Sequence, residues 1–362
     1  MIPVLHLRQG TALYGADRAV LALSASMPGP YLPIVGAIVR PGAPDALAEE
    51  ARRRGLAAVR FESASRLDFR CARAVARLAT EQGVRLLHAH DFKALFLAVI
   101  AGLLAHIPVV VTFHGDTRST AAVRFYEMVA RVLGNCTAGV AAVSRALERR
   151  LRRWVRAAPV SFVPNGLPVV TPIGEPERLA ARVRHGVKPD AYCVAMIGRL
   201  APEKGHRVLF EAARGARMTL LVAGDGPLRE ELQSAARGLD VRFLGYVADP
   251  RSVFAAADVV ALPSSTEGLP LVALEAMALG RCVVASAVGE LPELLAGNAG
   301  VLVPPGDVRA LSEALRRLQP EEGRTRFRST ALTRARAYEV AAMAGAYASL
   351  YRRALSGSSS SR

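Results

Sequence analysis

The chain has 362 residues, a length that predicts about two domains, and its balance of 51% hydrophobic and 22% charged residues excludes a disordered or fibrous protein. Its four cysteines stand far apart, which excludes a disulfide scaffold or a zinc ribbon and indicates a reducing compartment. The net charge is +16, and residues 1–165 carry most of it, with 22 basic and 11 acidic residues. This charge is compatible with a polyanionic partner, but the sequence contains no nucleic-acid-binding motif.

The N-terminus lacks the basic start and long apolar run of a secretory signal. The apolar stretch Ala94–Val111 is broken by His106 and Pro108. Its continuous part, Ala94–Ala105, would rise about 18 Å as a helix, too short for a bilayer core of about 30 Å. The sequence predicts a buried helix followed by a buried strand, and a cytoplasmic chain without a membrane span.

Short β-branched segments alternate with helical patterns along residues 1–165. This alternation predicts parallel strands joined by crossover helices, a doubly wound α/β domain. The strand candidates are Val4–Leu7, Pro33–Val39, Ala57–Phe61, Leu86–His90, Val109–Phe113, Gly139–Val143 and Val160–Val163. The helix candidates include Ala16–Met27, Arg66–Gln82 and Arg118–Leu133.

A proline- and glycine-rich stretch predicts a linker over residues 166–176. A second alternating series then predicts another doubly wound domain over residues 177–339, and a last helix, residues 340–355, is expected to pack back on the first domain. The strand candidates are Tyr192–Ile197, Met218–Ala223, Val241–Leu244, Val259–Leu262, Cys282–Ala285 and Val301–Val303. The helix candidates include Leu269–Leu279 and Val308–Leu318.

Paired carboxylates follow one strand of the second domain. Glu267 lies in the loop, and Glu275 comes eight residues later in the next helix. That spacing would place both near one helix face, about 12 Å apart along the axis, where they could hold hydroxyls at two ends of a polyhydroxylated ligand. The structural alternative is a glutamate at a helix N-terminus, where it complements the dipole, plus a solvent-facing one.

Two further strand-to-helix loops carry groups that suit phosphate. Arg199 and Lys204 flank a turn that opens a helix, and two cations beside a helix N-terminus suit a pyrophosphate. The structural alternative is an ordinary turn with two exposed cations. Gly224 and Gly226 follow the next strand, where glycine either admits a ligand or simply makes the turn.

Candidate residues of the first domain also follow strands. Gly15 lies in the loop after the first strand, and His88, His90 and His114 lie at or just after the ends of two others. A histidine there is well placed for a ligand, although most single histidines are structural. No carboxylate–histidine cluster has the spacing of a metal site, so no metal is expected.

A basic amphipathic segment, Arg145–Arg156, has an apolar stripe of Leu147, Leu151, Trp154 and Val155. The pattern is typical of a helix on an anionic membrane surface, but it also fits a surface helix whose stripe faces the core.

Together these motifs resemble glycosyltransferase family 4, the retaining group 1 type with a GT-B fold, over essentially the whole chain. The paired-glutamate segment Glu267–Glu275 and the segment Gly198–Gly205 match the family in order. Gly224–Arg229, Phe243–Val247 and Val163–Gly166 also fall in the expected places. The resemblance implies two Rossmann-like domains facing across a cleft.

The resemblance implies a role for each matched residue. Arg199 and Lys204 would neutralise the donor pyrophosphate, and Glu267 would bind the transferred sugar, as would His114. The remaining implied donor contacts, including the ribose, nucleobase and phosphate contacts, are Gly15, Gly198, Gly224, Tyr246, Val247, Gly268, Leu271, Val272 and Glu275. On the acceptor side the candidates are Asp17 and His90.

Two loops depart from the family pattern. The first reads Tyr14-Gly15-Ala16-Asp17, with one glycine and a shorter acid where the family has two glycines followed by glutamate, and this puts the acceptor contacts made there in doubt. The second is Val288–Glu293, where Glu290 stands in place of a glycine.

The implied activity is transfer of a sugar from a UDP-, GDP- or ADP-sugar to a hydroxyl of a glycan or lipid-linked acceptor, in the synthesis of cell-surface polysaccharide, lipopolysaccharide or glycolipid. No cofactor or metal is expected, and no nucleic acid. A peripheral contact with the inner face of an anionic membrane remains open. The alternatives are a nucleotide-sugar 2-epimerase on the same fold and a basic binding protein without catalysis.

Overall fold

The computed structural model describes residues 1–10, 13–65, 67–115 and 128–357. The chain divides into two compact units: unit 1 comprises Met1–Pro168 and the segment from Glu339 onward, and unit 2 comprises Val169–Tyr338. Within the described residues, each unit is built on one parallel sheet, of seven strands in unit 1 and six in unit 2. The doubly wound α/β fold predicted from the alternation is confirmed.

Unit 1 has its strands in the order β3-β2-β1-β4-β5-β6-β7. The strand order therefore reverses between β1 and β4, which lie side by side. The strands are β1 Ile2–Gln9, β2 Tyr31–Val39, β3 Ala57–Glu62, β4 Leu86–Ala89, β5 Val109–Phe113, β6 Gly139–Ala142 and β7 Val160–Phe162. The helices are α1 Gly15–Ser26, α2 Ala46–Arg53, α3 Phe69–Glu81, α4 Phe92–Ala105 and α5 Arg145–Leu151.

Aspartate caps fix where two of these helices begin. The Asp68 side chain accepts from Cys71 N, so α3 starts at Phe69, three residues later than predicted. Asp91 caps α4 in the same way through Ala94 N. Most of the predicted helix Arg118–Leu133 lies outside the described residues. Its described part, residues 128–133, is helical.

The apolar stretch at residues 94–111 is a core feature. α4 buries residues on nearly every side, and it ends at His106, whose left-handed φ of 56° turns the chain towards β5. Within the described ranges, no helix is long and apolar enough to cross a membrane.

Unit 2 repeats the plan with the strand order β10-β9-β8-β11-β12-β13. Its order reverses between β8 and β11, where Val194 lies opposite Val259. The strands are β8 Cys193–Ile197, β9 Thr219–Ala223, β10 Asp240–Gly245, β11 Val259–Leu262, β12 Cys282–Ser286 and β13 Val301–Val303. The helices are α6 Glu175–Arg184, α7 His206–Ala213, α8 Arg229–Ala235, α9 Arg251–Ala256, α10 Leu271–Ala278, α11 Leu291–Leu294, α12 Val308–Arg317 and α13 Glu321–Arg336.

The last helix, α14 (Val340–Gly357), packs on the sheet of unit 1, as predicted. Leu350, Tyr351 and Tyr347 are buried there. Where the chain re-enters unit 1, Val340 N donates to Leu167 O at 2.8 Å. Burial of these large side chains holds the C-terminal helix on unit 1.

The basic segment after β6 is a core-packed helix rather than a free amphipathic one. Leu147, Leu151 and Val155 are buried in the unit 1 core, and only Trp154 of the predicted stripe is exposed, by 46%. Of the arginines between them, Arg149, Arg152 and Arg153 are exposed and Arg150 is half-buried, while the apolar residues are used for packing. The reading as a membrane-surface stripe is therefore wrong for three of its four residues.

Candidate functional site

The loops after β8 and β11 diverge at the point where the strand order of unit 2 reverses. In open α/β sheets such a reversal leaves a crevice outside the carboxyl ends of the strands, where ligands bind. Two of the predicted motifs lie on these loops, at residues 198–205 and 263–270. The topology therefore brings together two segments that are about sixty residues apart in sequence.

A direct ion pair joins the two loops. Lys204 Nζ lies 2.7 Å from Glu267 Oε1, and Ser264 Oγ donates to the same oxygen at 2.7 Å. The Glu267 side chain is only 8% exposed, while that of Lys204 is 27% exposed. Two donors thus fix the Glu267 carboxylate in one orientation at the mouth of the crevice.

Arg199 is held by a carboxylate that the sequence analysis did not single out. Its Nη2 lies 2.5 Å from Glu203 Oε1, and Ser265 N donates to the Glu203 carbonyl at 2.9 Å. Burial alone would raise the pKa of Glu203, but a backbone N–H and the charge of Arg199 outweigh it, so the pKa lies below its ordinary value. The i,i+4 spacing of Arg199 and Glu203 was the available signal.

Glycines let the loops pack backbone against backbone. Gly205 has φ 77°, and a Cβ there would lie 2.1 Å from Pro263 O. Gly224 has φ 145°, and a Cβ there would lie 1.8 Å from Gly198 O. Its N–H also donates to Gly245 O at 2.7 Å. The predicted glycines Gly198 and Gly224 therefore set the close approach of loops as well as any approach of a ligand.

The loop after β12 also packs against the backbone of Glu267. Gly289 has φ 61°, and a Cβ there would lie 2.3 Å from Glu267 O. Glu290 N donates to Gly268 O at 2.9 Å, and the Glu290 side chain is buried. The segment that departs from the family pattern at Glu290 thus supports the paired-glutamate loop, a role that no local sequence signal shows.

Glu275 lies on α10, but Glu267 does not. The helix begins at Leu271 after Pro270, so Glu275 is its fifth residue and is 8% exposed. Glu275 therefore lies one turn into the helix rather than the predicted two, and the predicted separation of about 12 Å along one helix axis does not apply, because residues 267–270 are not helical. Leu271 and Val272 occupy its first turn, where backbone N–H groups lack intrahelical acceptors.

The two residues that were predicted to contact the nucleobase, Tyr246 and Val247, follow β10. A register shift between Phe243 and Gly245 interrupts the pairing with β9, whose last pair joins Gly245 to Ala223, and Gly245 has φ 69°. Tyr246 is 48% exposed and Val247 is half-buried. This turn therefore presents side chains beside the loop that contains Gly224.

In unit 1 the corresponding reversal lies between β1 and β4. The Asp17 carboxylate, a predicted acceptor contact, is buried and accepts from Arg8 Nε at 2.5 Å and from Tyr14 N at 2.9 Å. Asp17 thus holds Arg8 and the start of α1. Gly15 is the first residue of that helix, and a Cβ there would meet no atom within 4 Å.

Four histidines gather at the same end of the unit 1 sheet. His6 Nδ1 lies 3.1 Å from His90 Nε2, and His90 Nδ1 lies 3.4 Å from His114 Nε2. Burial lowers the pKa of His6 and of His114 to about 3, so both imidazoles are neutral at neutral pH. Ring nitrogens of His6, His88 and His90 lie within 4.8 Å of one another, a separation that could admit a metal ion. Sequence spacing missed this cluster because His6 is 84 residues from His90.

Comparison with known proteins agrees with this architecture. A family model described as "Glycosyltransferase Family 4" matches residues 36–170, and one described as "Glycosyl transferases group 1" matches residues 191–320. The phosphatidyl-myo-inositol mannosyltransferase of Mycolicibacterium smegmatis is 32% identical over 70% of this chain and 67% of that protein. The chain belongs to glycosyltransferase family 4.

Other relatives extend the comparison. The phosphatidyl-myo-inositol mannosyltransferase of Mycobacterium leprae is 35% identical over 64% of this chain and 63% of that protein. The chain thus spans somewhat less than two thirds of the length of that relative. The structure of Anabaena Alr3699/HepE in complex with UDP and glucose matches with a TM-score of 0.86 at 23% identity, covering 97% of this chain and 100% of that one. The family 4 chain therefore has the GT-B fold.

The glycine packing predicts a specific effect on stability. Gly224→Ala should lower the free energy of unfolding by about 2 kcal/mol or more, because its Cβ would collide with a carbonyl oxygen as well as strain the backbone. Gly238→Ala is the matched control, since Gly238 also has a positive φ, 80°, but open space around it, and should cost about 1 kcal/mol. Urea unfolding measures both, and equal losses would show that the loops do not pack as described.

Proposed function

We propose that this chain is a retaining glycosyltransferase that moves a sugar from a nucleotide-sugar donor to a hydroxyl of a glycan or lipid-linked acceptor. The proposal rests first on the ion pair between Lys204 and Glu267 at the reversal point of unit 2. It places a cation, which suits phosphate, beside a carboxylate, which suits sugar hydroxyls.

The donor contacts follow from the positions of the loops. Arg199 and Lys204 would bind the pyrophosphate and stabilise its charge as the leaving group departs. The first N–H groups of α10, at Leu271 and Val272, offer further donors to phosphate. Glu275, one turn into the helix, would accept from the ribose hydroxyls.

The remaining donor contacts surround these groups. Tyr246 and Val247 would contact the nucleobase, and the backbone at Gly198 and Gly224 would lie against the phosphates. Gly268 would bring the loop close to the sugar that Glu267 binds. His114 and Gly15 are the proposed contacts from unit 1.

We propose a front-face route for the transfer. The bond from the anomeric carbon to the phosphate oxygen breaks while the acceptor oxygen bonds to the same face of that carbon. The acceptor proton passes to the departing phosphate oxygen. No carboxylate nucleophile enters this route, so it requires no pair of carboxyl groups at the roughly 5 Å separation of retaining glycosidases.

The names of two relatives support the proposed class of acceptor, a glycan or a lipid-linked molecule. Two relatives are named for transfer of mannose to phosphatidyl-myo-inositol, a lipid-borne polyol. This supports an acceptor hydroxyl on a glycan or glycolipid, and a place in cell-surface polysaccharide, lipopolysaccharide or glycolipid synthesis. A nucleotide-sugar 2-epimerase is the second candidate on this fold, and it would release no glycoside.

Nucleotide binding tests the donor site. One of UDP, GDP and ADP should raise the melting temperature of the wild type, because a ligand that binds only the folded state stabilises it. Glu275→Ala should abolish most of that shift, whereas Glu231→Ala, an exposed glutamate of the same unit, should keep it. Absence of a shift with all three nucleotides in the wild type would contradict the proposed donor site.

Turnover tests the role of Glu267. Glu267→Gln keeps the shape of the side chain but removes its charge and its ion pair with Lys204, and should reduce kcat by about 100-fold or more. Glu231→Gln should leave turnover unchanged. Intact-protein mass spectrometry during turnover should find no glycosyl-enzyme, and a covalent sugar adduct would refute the front-face route.

An anionic membrane surface is a further proposed partner, supported by the charge of residues 1–165 and by exposed Trp154 among the arginines of α5 and the turn after it. Vesicles with about one third anionic lipid should therefore co-sediment the protein at low salt and release it at high salt. Arg149→Glu with Arg153→Glu should weaken this binding. Binding that ignores both lipid charge and salt would contradict it.

A further inference from the structure

The histidines of unit 1 form a chain of hydrogen bonds that runs from its core to the carboxyl end of β5. His6 is on β1, and His90 and His114 follow β4 and β5. The ring centroids of His6 and His90 are 5.4 Å apart with planes 14° from parallel, and those of His90 and His114 are 5.6 Å apart at 30°. Each centroid distance exceeds its N···N distance by about two ring radii, so the nitrogens point at each other along the ring planes. These are hydrogen bonds between ring edges, not stacked faces.

Neutral imidazoles in such a chain must share one direction of donation. A neutral histidine has one N–H and one lone pair, so His90 donates through one nitrogen and accepts through the other. Burial lowers the pKa of all three rings, and the charge of Arg8 lowers that of His90 and His114 further. The two hydrogen bonds are therefore both donated in the direction from His6 to His114, or both in the opposite direction.

The two end residues of this row of histidines, His6 and His114, decide between the two directions of donation. Within the described residues, His6 Nε2 and His114 Nδ1 are buried ring nitrogens without a hydrogen-bond partner. If donation ran towards His6, an N–H of His6 would be left orphaned in the core, the costlier kind of unsatisfied group. Donation towards His114 leaves only a lone pair on His6, which is fully buried, and places the unpaired N–H on His114, which is half-buried just after β5. A ligand oxygen would supply the acceptor that this N–H lacks.

The remaining contacts hold this chain in place without joining it. Arg8 Nη1 donates to the His90 carbonyl at 3.0 Å, and Asp17 holds the same guanidinium. His88 packs against His90 with centroids 3.9 Å apart, and both of its nitrogens meet hydroxyls, those of Tyr351 at 2.6 Å and Thr112 at 2.7 Å.

We propose that His90 is a positioning residue that, backed by His6, fixes the proton of His114 on Nδ1 and so presents an N–H donor to an oxygen of the bound nucleotide sugar. This inference rests on the proposed function, because His114 is taken to contact that sugar. It gives Arg8 and Asp17 a role in orienting His90, distinct from contact with an acceptor.

A bound metal is the competing use of the same cluster. Of the six ring nitrogens of His6, His88 and His90, five already have hydrogen-bond partners, so binding an ion would break several of these bonds. The hydrogen-bonded chain is therefore the arrangement that the geometry favours, and the metal is an outcome for the test.

The test reads the tautomer directly in the full chain labelled with ¹⁵N-histidine. Long-range ¹H–¹⁵N correlation at neutral pH should show His114 as the Nδ1–H tautomer, with its signals assigned by their loss in His114→Gln. His90→Leu should shift His114 to the Nε2–H tautomer that free histidine prefers. His90→Asn, whose amide can donate from the same place as Nδ1, should restore Nδ1–H.

Two results would overturn the proposal. One is an Nε2–H or charged His114 in the wild type, a spectrum that needs no variant to fold. The other is one zinc ion per chain retained after incubation with zinc chloride and dialysis, and lost in His6→Leu. Neither readout uses a nucleotide, so failure here is distinct from failure of the nucleotide-binding test.

Discussion

Contact between loop backbones is the constraint on which the site in unit 2 depends. Lys204 reaches Glu267 only because Gly205 allows its loop to touch Pro263, and the loop at Gly289 closes on the other side of Glu267. A Cβ at Gly205 or Gly289 would lie 2.1 or 2.3 Å from a carbonyl oxygen of the opposing loop, so the loops would have to move apart. The geometry of this candidate site is therefore set by positions that have no side chain of their own.

The cations of this site are not free charges. Arg199 is paired with Glu203 and Lys204 with Glu267, so these four side chains carry no net charge together. The net charge of +16 thus arises elsewhere, mainly in the arginines of residues 1–165. A pyrophosphate would have to compete with two carboxylates for these cations, which favours a ligand that offers both phosphate and hydroxyls over a bare polyanion.

Much of the architecture could be predicted from the sequence, because alternating strand and helix patterns are local and the motifs follow strands in a fixed order. The bounds of α10 could not, since Pro270 delays the helix that the apolar pattern alone would begin earlier. Glu203 and Ser264 lie only four and three residues from their side-chain partners, Arg199 and Glu267, so local spacing was the signal that could have found them. The contacts of Gly289 with the loop of Glu267 could not be found in this way, because they depend on which strands are neighbours. The same applies to His6, which lies opposite His88 on β4 and bonds to His90 just after that strand, 84 residues along the chain.

The hydrogen bond from Val340 to Leu167 brings together the two ends of the segment that forms unit 2, and this affects how the protein can evolve. Unit 2 is one continuous segment whose two ends join unit 1 at hydrogen-bonded neighbours. Topologically, unit 2 is a guest inserted into a host whose sheet and closing helix come from both sides of the insertion. Recombination at these two neighbouring points would exchange the whole of unit 2 as one block, while the host keeps its own fold and its own row of hydrogen-bonded histidines.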